Sequence, residues 1–529
     1  MLPRSNAHLS RKKFFRADAT LPTTTCKKCS KTNNVECICH KLNILIRPPN
    51  YEETCFIFDQ TESMYNITST KLLSMKKLVT EIIYPFDNTY DFYRLNYNHL
   101  FNFYPVAIVR VHKTSDVVNT IKFCRQTGLP LRLRGGAHAY EPASLVNFGI
   151  VIDLSPRNQI TNIDCADRTV TIQSGALLGP IVNELSKKNM LIPFGTCVTN
   201  GLAGLTLGGG IGFATRAYGL TLDAVVDIEV VLADSHLTHA NKTHNKDLYW
   251  ALRGAGGGNY GAITNFTFKF DVIEYVTVFT INYKFEDTKK VFDVWQRWAP
   301  YTINKLTSEL DIFNRFQPVI VTGQMLPIKN SVKDQKKLFK LIKPLLDLDL
   351  QTNISIKTMS LQEAAQYFGQ GSYARPLFFY NKSYFNFRFL SSEAIDTIIH
   401  FMGLLDQTQS HHKTEVDALG GYFGSVDSRS TAFPARDAIH WFQFTSLWDV
   451  TEEEKENKAW MDAYYAAMSK FFPEHRRYVN ALDYSIPRAE ALESYYGKNL
   501  PRLIKIKNKY DKTDFFRFEQ SIPTTPSII

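Results

Sequence analysis

Residues 131–145, "LRLRGGAHAYEPASL", place two glycines and one histidine directly after a strand-like run. Glycine lets backbone amides approach an anion closely and adopt positive φ, so a glycine turn at a strand end is a natural cradle for pyrophosphate. Two further glycine loops follow at residues 207–212 and 253–261. One such loop indicates no more than a tight turn, whereas three in one domain indicate a phosphate-bearing ligand.

The common nucleotide motifs do not account for these loops. None of them fits the dinucleotide fingerprint G-x-G-x-x-G in its strand, turn, helix setting, and the lysine and hydroxyl partner of a P-loop are missing. We therefore expect a phosphate-bearing ligand on a fold that is not of the Rossmann type.

The length and composition indicate a soluble protein of two or three domains. The 529 residues exceed the roughly 250 to 300 at which a single core stops growing, and 44% are apolar. The sequence has no run of about 18 apolar residues and no apolar signal region near its start, so neither a membrane span nor a secretory signal is expected. We expect an intracellular location. Packaging in a virus particle is the alternative. The composition, rich in Lys, Asn and Tyr, suggests an A+T-rich genome, which could be viral.

The net charge of +10 is partly concentrated at the N-terminus. A basic terminal stretch is typical of a solvated arm, so nucleic acid is not expected as a partner. Eight cysteines without a signal peptide favour a reducing compartment. Four of them have the spacing of structural zinc ligands, with free thiols or a redox pair as the alternative. They are Cys26, Cys29, Cys37 and Cys39.

Changes in composition divide the chain into four parts. Residues 1–75 are basic, rich in cysteine and poor in periodic pattern, so they are interpreted as an appended arm. Residues 76–273 hold the glycine loops and, from Phe103, a predicted strand, helix, strand unit. Residues 274–473 have longer strands and helices without glycine clusters, and residues 474–529 form a tail.

Four motifs, in order, resemble those of the berberine bridge enzyme-like flavoproteins, which include hexose and oligosaccharide oxidases. They are "RGGAH", "PFGTCVTNGLAGLTLGGGIGFATRAYGLTLDAVVD", "DLYWALRGAGGGNYGAIT" and "YYGKNLPRLIKIKNKYDKTDFFRFEQSI". The resemblance extends from about residue 80 to the C-terminus. It implies an α+β fold with a two-lobed FAD-binding domain of the PCMH type, shared with vanillyl-alcohol oxidase. It also implies a substrate domain with an antiparallel sheet flanked by helices, and a C-terminal segment that returns to the flavin.

The resemblance also implies that FAD is attached by two covalent bonds. In the family, the histidine of an Arg-x-Gly-Gly-His loop bonds the flavin 8α-methyl group and the cysteine of a Gly-x-Cys-Pro-Thr loop bonds carbon 6. The matching residues are His138 and Cys197, although Ala137 replaces a glycine and Val198 replaces the proline. Imidazole and thiolate are also the side chains able to add to an electrophilic flavin, and the two bonds would make it a stronger oxidant.

The residues expected to contact the cofactor lie in the matched motifs. They are Arg134, Gly135, Gly136, Ala137, His138, Cys197, Thr199, Asn200, Gly201, Gly208, Gly209, Gly210, Gly212, Gly261, Ile263 and Asn480.

The catalytic residues are less completely matched. A flavin takes hydride at N5 from a carbon bearing oxygen or nitrogen, and a base must take the accompanying proton. The strand "FPARDAIHWFQFTSLW" matches the family and places Gln443 where an assisting side chain is expected. The base of many relatives is a tyrosine in Asn-Tyr-x-Asp, and Ala481 replaces it here. Another phenol, with Tyr484 as the candidate, would have to take its place, or the chemistry differs.

The sequence does not identify the substrate or the electron acceptor. We expect oxidation of an alcohol, with a carbohydrate favoured over a phenolic or alkaloid-like molecule, and dioxygen as acceptor giving hydrogen peroxide. Asn200 stands where relatives usually carry an aliphatic residue that gates oxygen, so a dehydrogenase with another acceptor is the alternative. A flavin-bearing binding or structural protein is the hypothesis from another class, because alanine cannot move a proton.

Overall fold

The computed structural model describes residues 51–329, 331–369, 377–407, 409 and 411–526. The four cysteines of the predicted zinc site lie outside the described residues, as does most of the predicted arm. Within the described part of the chain, no helix is long and apolar enough to cross a membrane.

The first sheet has four strands in the order β1-β2-β4-β3, of which β2, β3 and β4 run parallel. The strands are β1 (Glu81–Ile83), β2 (Ala107–Arg110), β3 (Leu131–Arg134) and β4 (Ile150–Asp153). The expected strand, helix, strand unit forms here, with the helix Thr114–Thr127 between β2 and β3. The carboxylate of Asp116 caps the start of this helix by accepting from the backbone N–H of Lys113, and Gly128 follows its end at φ +73°.

A second sheet of five antiparallel strands follows in the order β5-β6-β10-β8-β9, and β7 pairs with β11 beside it. The strands are β5 (Ile160–Asp164), β6 (Thr169–Gln173), β7 (Met190–Leu191), β8 (Val225–Val231), β9 (Leu237–Asn241), β10 (Ala262–Lys269) and β11 (Asp271–Val272).

The third sheet has seven antiparallel strands in the order β15-β12-β14-β13-β17-β18-β16. They are β12 (Tyr275–Tyr283), β13 (Leu306–Ile312), β14 (Val319–Met325), β15 (Gln351–Ser360), β16 (Phe378–Asn386), β17 (Lys413–Ala418) and β18 (His440–Trp448). Side chains alternate between the two faces of a strand, so Phe442 and Phe444 pack in the helix-covered core while Trp441 and Gln443 face the other way.

Helices connect and cover these sheets. Besides Thr114–Thr127 they are Tyr51–Tyr65, Ser69–Ser74, Tyr90–Arg94, Leu178–Ser186, Leu202–Gly208, Thr215–Tyr218, Lys246–Ala251, Thr288–Trp298, Ser331–Leu341, Lys343–Leu346, Leu361–Gly369, Ser392–Leu404, Gly421–Ser425, Glu454–Ser469, Arg488–Tyr496 and Leu500–Tyr510.

Two buried cations connect distant parts of the chain. Arg216 is fully buried and donates from Nε to the carbonyl of Leu306 at 2.8 Å and from Nη2 to that of Thr302 at 2.7 Å, which joins the glycine-rich region to the seven-stranded sheet. Lys507, in the C-terminal segment, donates from Nζ to the carbonyl of Asn259 at 2.7 Å. Since a buried charge without partners is costly, these hydrogen bonds stabilise the packing of the connected parts of the chain against one another.

Candidate active site

A cavity of about 530 Å³ lies between the glycine loops and one face of the seven-stranded sheet. The side chains on that face of the sheet that line the cavity are called the substrate wall. The predicted site residues that line the cavity are Arg134, Gly135, Gly136, Ala137, His138, Cys197, Asn200, Gly201, Gly212, Gly261, Ile263, Gln443 and Asn480.

The two predicted attachment residues meet in this cavity, although 59 positions separate them in the sequence. Nε2 of His138 lies 3.8 Å from Sγ of Cys197 and 2.9 Å from Oγ1 of Thr199. The same hydroxyl lies 3.2 Å from the sulfur. Thr199 does not line the cavity itself, but its hydroxyl contacts both predicted attachment residues.

Backbone features of two loops bring the histidine to the cysteine. A Cβ on Gly136 would lie 2.5 Å from Cα of Gly201, so only glycines allow the two loops to approach this closely. Ala137 has φ +54°, in the left-handed region that costs a non-glycine residue about 1 to 2 kcal/mol. The ring of Tyr97 stacks on that of His138 with centroids 4.0 Å apart, and its backbone N–H donates to the carbonyl of Ala137.

The environment of Cys197 favours its ionised form. Burial opposes ionisation, but hydrogen bonding and charge from His138, with hydrogen bonds from Thr199, outweigh it and lower the pKa of Cys197 from 9.0 to about 6. Burial without such partners raises the pKa of the Cys124 thiol far above its usual range. Since the thiolate is the nucleophilic form, Cys197 is expected to be the more reactive of these two cysteines.

The donors at the cavity fit FAD. Arg134 is 3% exposed, its Nη2 donates to Asp153 at 3.0 Å, and its Nη1 has no hydrogen-bond partner among the described residues. Gly256 and Gly258 also line the cavity, with φ near +78° and +77°, and present backbone without side chains. A buried guanidinium N–H and bare glycine backbone are groups that bind phosphate oxygens.

Three glycines predicted to contact the cofactor do not line the cavity. Gly208 and Gly209 pack instead against the C-terminal segment, and the backbone N–H of Gly210 donates to it. A Cβ on Gly209 would lie 2.7 Å from the hydroxyl oxygen of Tyr478, which also accepts from the backbone N–H of Gly210 at 2.7 Å. The small size of Gly208 therefore admits Asn480 and that of Gly209 admits Tyr478, while a Cβ on Gly210 would meet Thr221. Gly256, Gly257 and Gly258, which belong to the predicted glycine loop 253–261, also line the cavity, and Gly195 and Gly204 line it without having been predicted.

Tyr484, the predicted catalytic phenol, does not line the cavity either. Its backbone N–H lies 3.4 Å from Oε1 of Glu141, and burial raises the pKa of its hydroxyl. Of the residues that match the family motif Asn-Tyr-x-Asp, Asn480 and Ala481 line the cavity, and Ala481 is 2% exposed. The structure therefore does not place the expected phenolic base at this site.

Gln443 lies on the substrate wall, as the family strand predicts. Its Nε2 donates to Oγ1 of Thr445 at 3.2 Å, and it stands directly opposite Glu415 in the pairing of β17 with β18. The amide is therefore fixed by its own strand beside a carboxylate.

Four carboxylates and one lysine on the substrate wall were not predicted from the sequence. They are Glu309, Asp311, Lys413, Glu415 and Asp417. A signal for them exists, because "ELDI" on β13 and "KTEVDA" on β17 alternate charged with other residues, and alternate residues of a strand share a face. The alternation does not predict that the charged faces of both strands line the same cavity.

The substrate wall is electrostatically divided. Nζ of Lys413 lies 3.3 Å from Oδ1 of Asp311 and forms an ion pair with Glu415. Burial opposes the charge of Lys413, but these carboxylates outweigh it and raise the pKa of its ammonium. Glu309 and Asp417 form no ion pair with any residue that the structure describes.

The fold and the site together define an FAD-binding oxidoreductase. A family described as FAD binding domain matches residues 105–241, and one described as berberine and berberine-like matches residues 477–523. The chain belongs to the berberine bridge enzyme-like family of FAD-linked oxidoreductases, and it is an enzyme. This confirms the resemblance and the α+β fold that the four motifs indicated.

Individual relatives agree with the family assignment. The FAD-linked oxidoreductase YgaK of Bacillus subtilis is 37% identical over 84% of this chain and 97% of its own length. The glucooligosaccharide oxidase of Sarocladium strictum is 28% identical over 78% of this chain and 86% of its own. Among solved structures, BBE-like 1 of Physcomitrella patens superimposes with a TM-score of 0.78 at 27% identity, covering 86% of this chain and all of that one.

Proposed function

We propose that this enzyme carries FAD bound covalently to both His138 and Cys197 and oxidises an alcohol, with a carbohydrate favoured, using dioxygen as electron acceptor. The alcohol R₂CHOH and O₂ would give the carbonyl R₂CO and H₂O₂. The observation that carries the proposal is the contact between a histidine and an activated cysteine on the wall of a cavity that fits FAD.

The two attachment residues would hold the flavin ring through a ring nitrogen of His138 and the sulfur of Cys197. When bound, the flavin supplies the hydride acceptor at N5 and the site at which dioxygen is reduced. The low pKa of Cys197 supports the assignment because a thiolate is the form of cysteine that bonds an electrophilic carbon.

Glu415 is the residue that we assign as proton acceptor in place of the missing tyrosine. It lines the cavity directly opposite Gln443, and its ion pair with Lys413 holds the carboxylate in place. Gln443 would hydrogen-bond the substrate hydroxyl while Glu415 takes its proton. Because Ala481 has no proton to exchange and Tyr484 lies outside the cavity, a carboxylate supports catalysis better than either.

Two features bear on the alternatives. Asn200 lines the cavity, and its backbone N–H donates to the carbonyl of Cys197 at 3.2 Å, so a polar side chain stands next to the attachment site. A dehydrogenase with another acceptor therefore remains the second candidate. A merely flavin-binding protein is less favoured, because it would not need four carboxylates on the wall that faces the cofactor site.

The experiment that tests the proposal is a visible spectrum of purified protein before and after acid precipitation, followed by anaerobic mixing with a panel of alcohols and sugars. Yellow colour in the precipitate, bleaching by a substrate and stoichiometric peroxide on admitting air are expected. A colourless precipitate contradicts double attachment. Bleaching that air does not reverse, but that an artificial acceptor does, identifies a dehydrogenase.

A further inference from the structure

The pair Glu309 and Asp417 is an unusual feature of the substrate wall. The two residues stand directly opposite each other in the pairing of β13 with β17, where like charges destabilise a sheet. The next pair on the same face, Asp311 and Glu415, has the same arrangement but shares the ammonium group of Lys413. Lys413 thus neutralises the pair Asp311 and Glu415, whereas the pair Glu309 and Asp417 has no cation among the described residues.

Trp441 is a further polar group of the substrate wall close to this acidic pair. Trp441 stands opposite Asp417 in the pairing of β17 with β18 and lines the same cavity. It is 8% exposed, and its indole N–H has no hydrogen-bond partner among the described residues. Oδ2 of Asp417, which is 7% exposed, also has no partner there. Buried polar groups of this kind are costly unless a bound molecule satisfies them.

We propose that Glu309 and Asp417 bind the ammonium group of the substrate while the indole N–H of Trp441 donates to an adjacent oxygen. The substrate is then an amino alcohol, and an amino sugar is the class that combines this group with a carbohydrate. An ammonium group offers three donors, which two carboxylates can accept, as Asp311 and Glu415 do for Lys413. This inference rests on the proposed function, since it names the substrate of the same site.

The electrostatics of the pair support this assignment. Burial, and then the neighbouring carboxylates, raise the pKa of Glu309 and of Asp417 well above their usual range. A cation placed between them would favour the ionised forms and relieve the repulsion.

A divalent metal ion is the competing occupant. Carboxylate oxygens of Glu309, Glu415 and Asp417 lie within 4.8 Å of one another. Two observations favour the amine over the metal. Glu415 already pairs with Lys413, and the indole N–H of Trp441 cannot coordinate a metal but can donate to a substrate oxygen.

The test compares matched disaccharides with the flavin-loaded enzyme. Chitobiose without acetyl groups and cellobiose differ in the C2 amino groups, and N,N′-diacetylchitobiose has the same nitrogens without the charge. Dissociation constants are measured by calorimetry, and flavin bleaching is followed anaerobically in parallel. We expect the unacetylated amino sugar to bind at least about tenfold more tightly than either neutral sugar, as charge-assisted hydrogen bonds imply.

The variant that tests the residues is Glu309→Gln with Asp417→Asn, which keeps the shapes and removes both charges. We expect the affinity ratio to fall to about one. Glu286→Gln, an exposed glutamate paired with Lys284, is the matched control and should keep the wild-type ratio. Flavin content and circular dichroism confirm that each variant is folded, and the comparison of the three sugars on the wild-type enzyme tests the proposal without any variant.

Three results would overturn the inference: equal affinity for charged and neutral sugars, no detectable binding of the amino sugar, or a preference that survives the double variant. Tight binding of Ca²⁺ or Mg²⁺ that the double variant abolishes would make the pair a metal site instead. Failure of the proposed function is distinguishable, because the flavin would then not be bleached even by an amino sugar that binds with the expected preference.

Discussion

Sγ of Cys197 lies 3.8 Å from Nε2 of His138, and both atoms contact the hydroxyl of Thr199. Two loops that are far apart in sequence thus present a nitrogen and a sulfur nucleophile at one point of the cavity. In the proposed function, both atoms would form bonds to one end of the flavin ring system, so we expect them to lie close together. Because the two residues come from different loops, the two proposed bonds can be tested separately by mutation.

Removing one of the two proposed attachment residues should leave the bond to the other intact. We expect His138→Ala and Cys197→Ala each to keep yellow colour in the acid precipitate, and the double variant to release it to the supernatant. The measurement is the visible spectrum of both fractions, with intact mass for the number of flavins. Release of colour by either single variant would show that only one bond forms.

The reactivity of Cys197 should depend on pH in a characteristic way. Its lowered pKa means that the thiolate is present above about pH 6 and is protonated below it. In flavin-free protein, made in a riboflavin-requiring host, alkylation of Cys197 by iodoacetamide should therefore reach half its maximal rate near pH 6. In the His138→Ala variant the midpoint should move to higher pH, because the principal group that lowers the pKa is gone. An unchanged midpoint would contradict this role of the imidazole. Peptide mass mapping distinguishes Cys197 from the exposed Cys165.

Loss of the proposed proton acceptor should affect chemistry more than binding. Glu415→Gln is expected to lower the rate constant of anaerobic flavin reduction by about 10² to 10⁴, the usual contribution of a general base. The dissociation constant of the substrate should change much less, and flavin content should stay normal. Stopped-flow absorbance measures the rate, and Glu286→Gln serves as the control on an exposed glutamate. A variant that reduces flavin at the wild-type rate would exclude Glu415 as the base.

Glu141 should make the enzyme less stable as the pH rises from 4.5 to 7. Burial raises its pKa from 4.5 to about 7, although Lys382 opposes the shift. The folded protein then keeps a proton that the unfolded chain releases, so stability falls through this window and is flat above it. At pH 8 the cost is of order 3 kcal/mol. Glu141→Gln should therefore melt at a higher temperature than the wild type at pH 8 but not at pH 4.5, as differential scanning calorimetry would show.

The positive φ of Ala137 predicts a stabilising substitution. Ala137→Gly relieves the strain of the left-handed conformation but adds freedom to the unfolded chain, so a net gain of about 0.5 to 1 kcal/mol is expected. Thermal unfolding of the two proteins compares them directly, and Ala166→Gly on an exposed turn is a control expected to give no gain. A loss of stability would show that the methyl group of Ala137 makes contacts worth more than the strain.

Much of the first domain could be read from local signals. Gly128 ends a helix in the expected strand, helix, strand unit, and the glycine loops lie where a phosphate-bearing ligand would need them. Gln443 reaches the cavity because the alternation of a strand can be counted from its sequence. Local patterns did not predict which glycines face the ligand. The space beside Gly209 is filled by the side chain of Tyr478, which lies 269 residues further along the chain.

By itself the sequence determined the family, the flavin cofactor and the identity of the strand that carries Gln443, because these depend on motifs and on short-range backbone preferences. Only the tertiary structure decided that Tyr484 lies outside the cavity and that Glu309 faces Asp417 within it. The physical reason is that strand register between distant segments is set by the packing of the whole sheet against its helices. No short stretch of sequence encodes that packing.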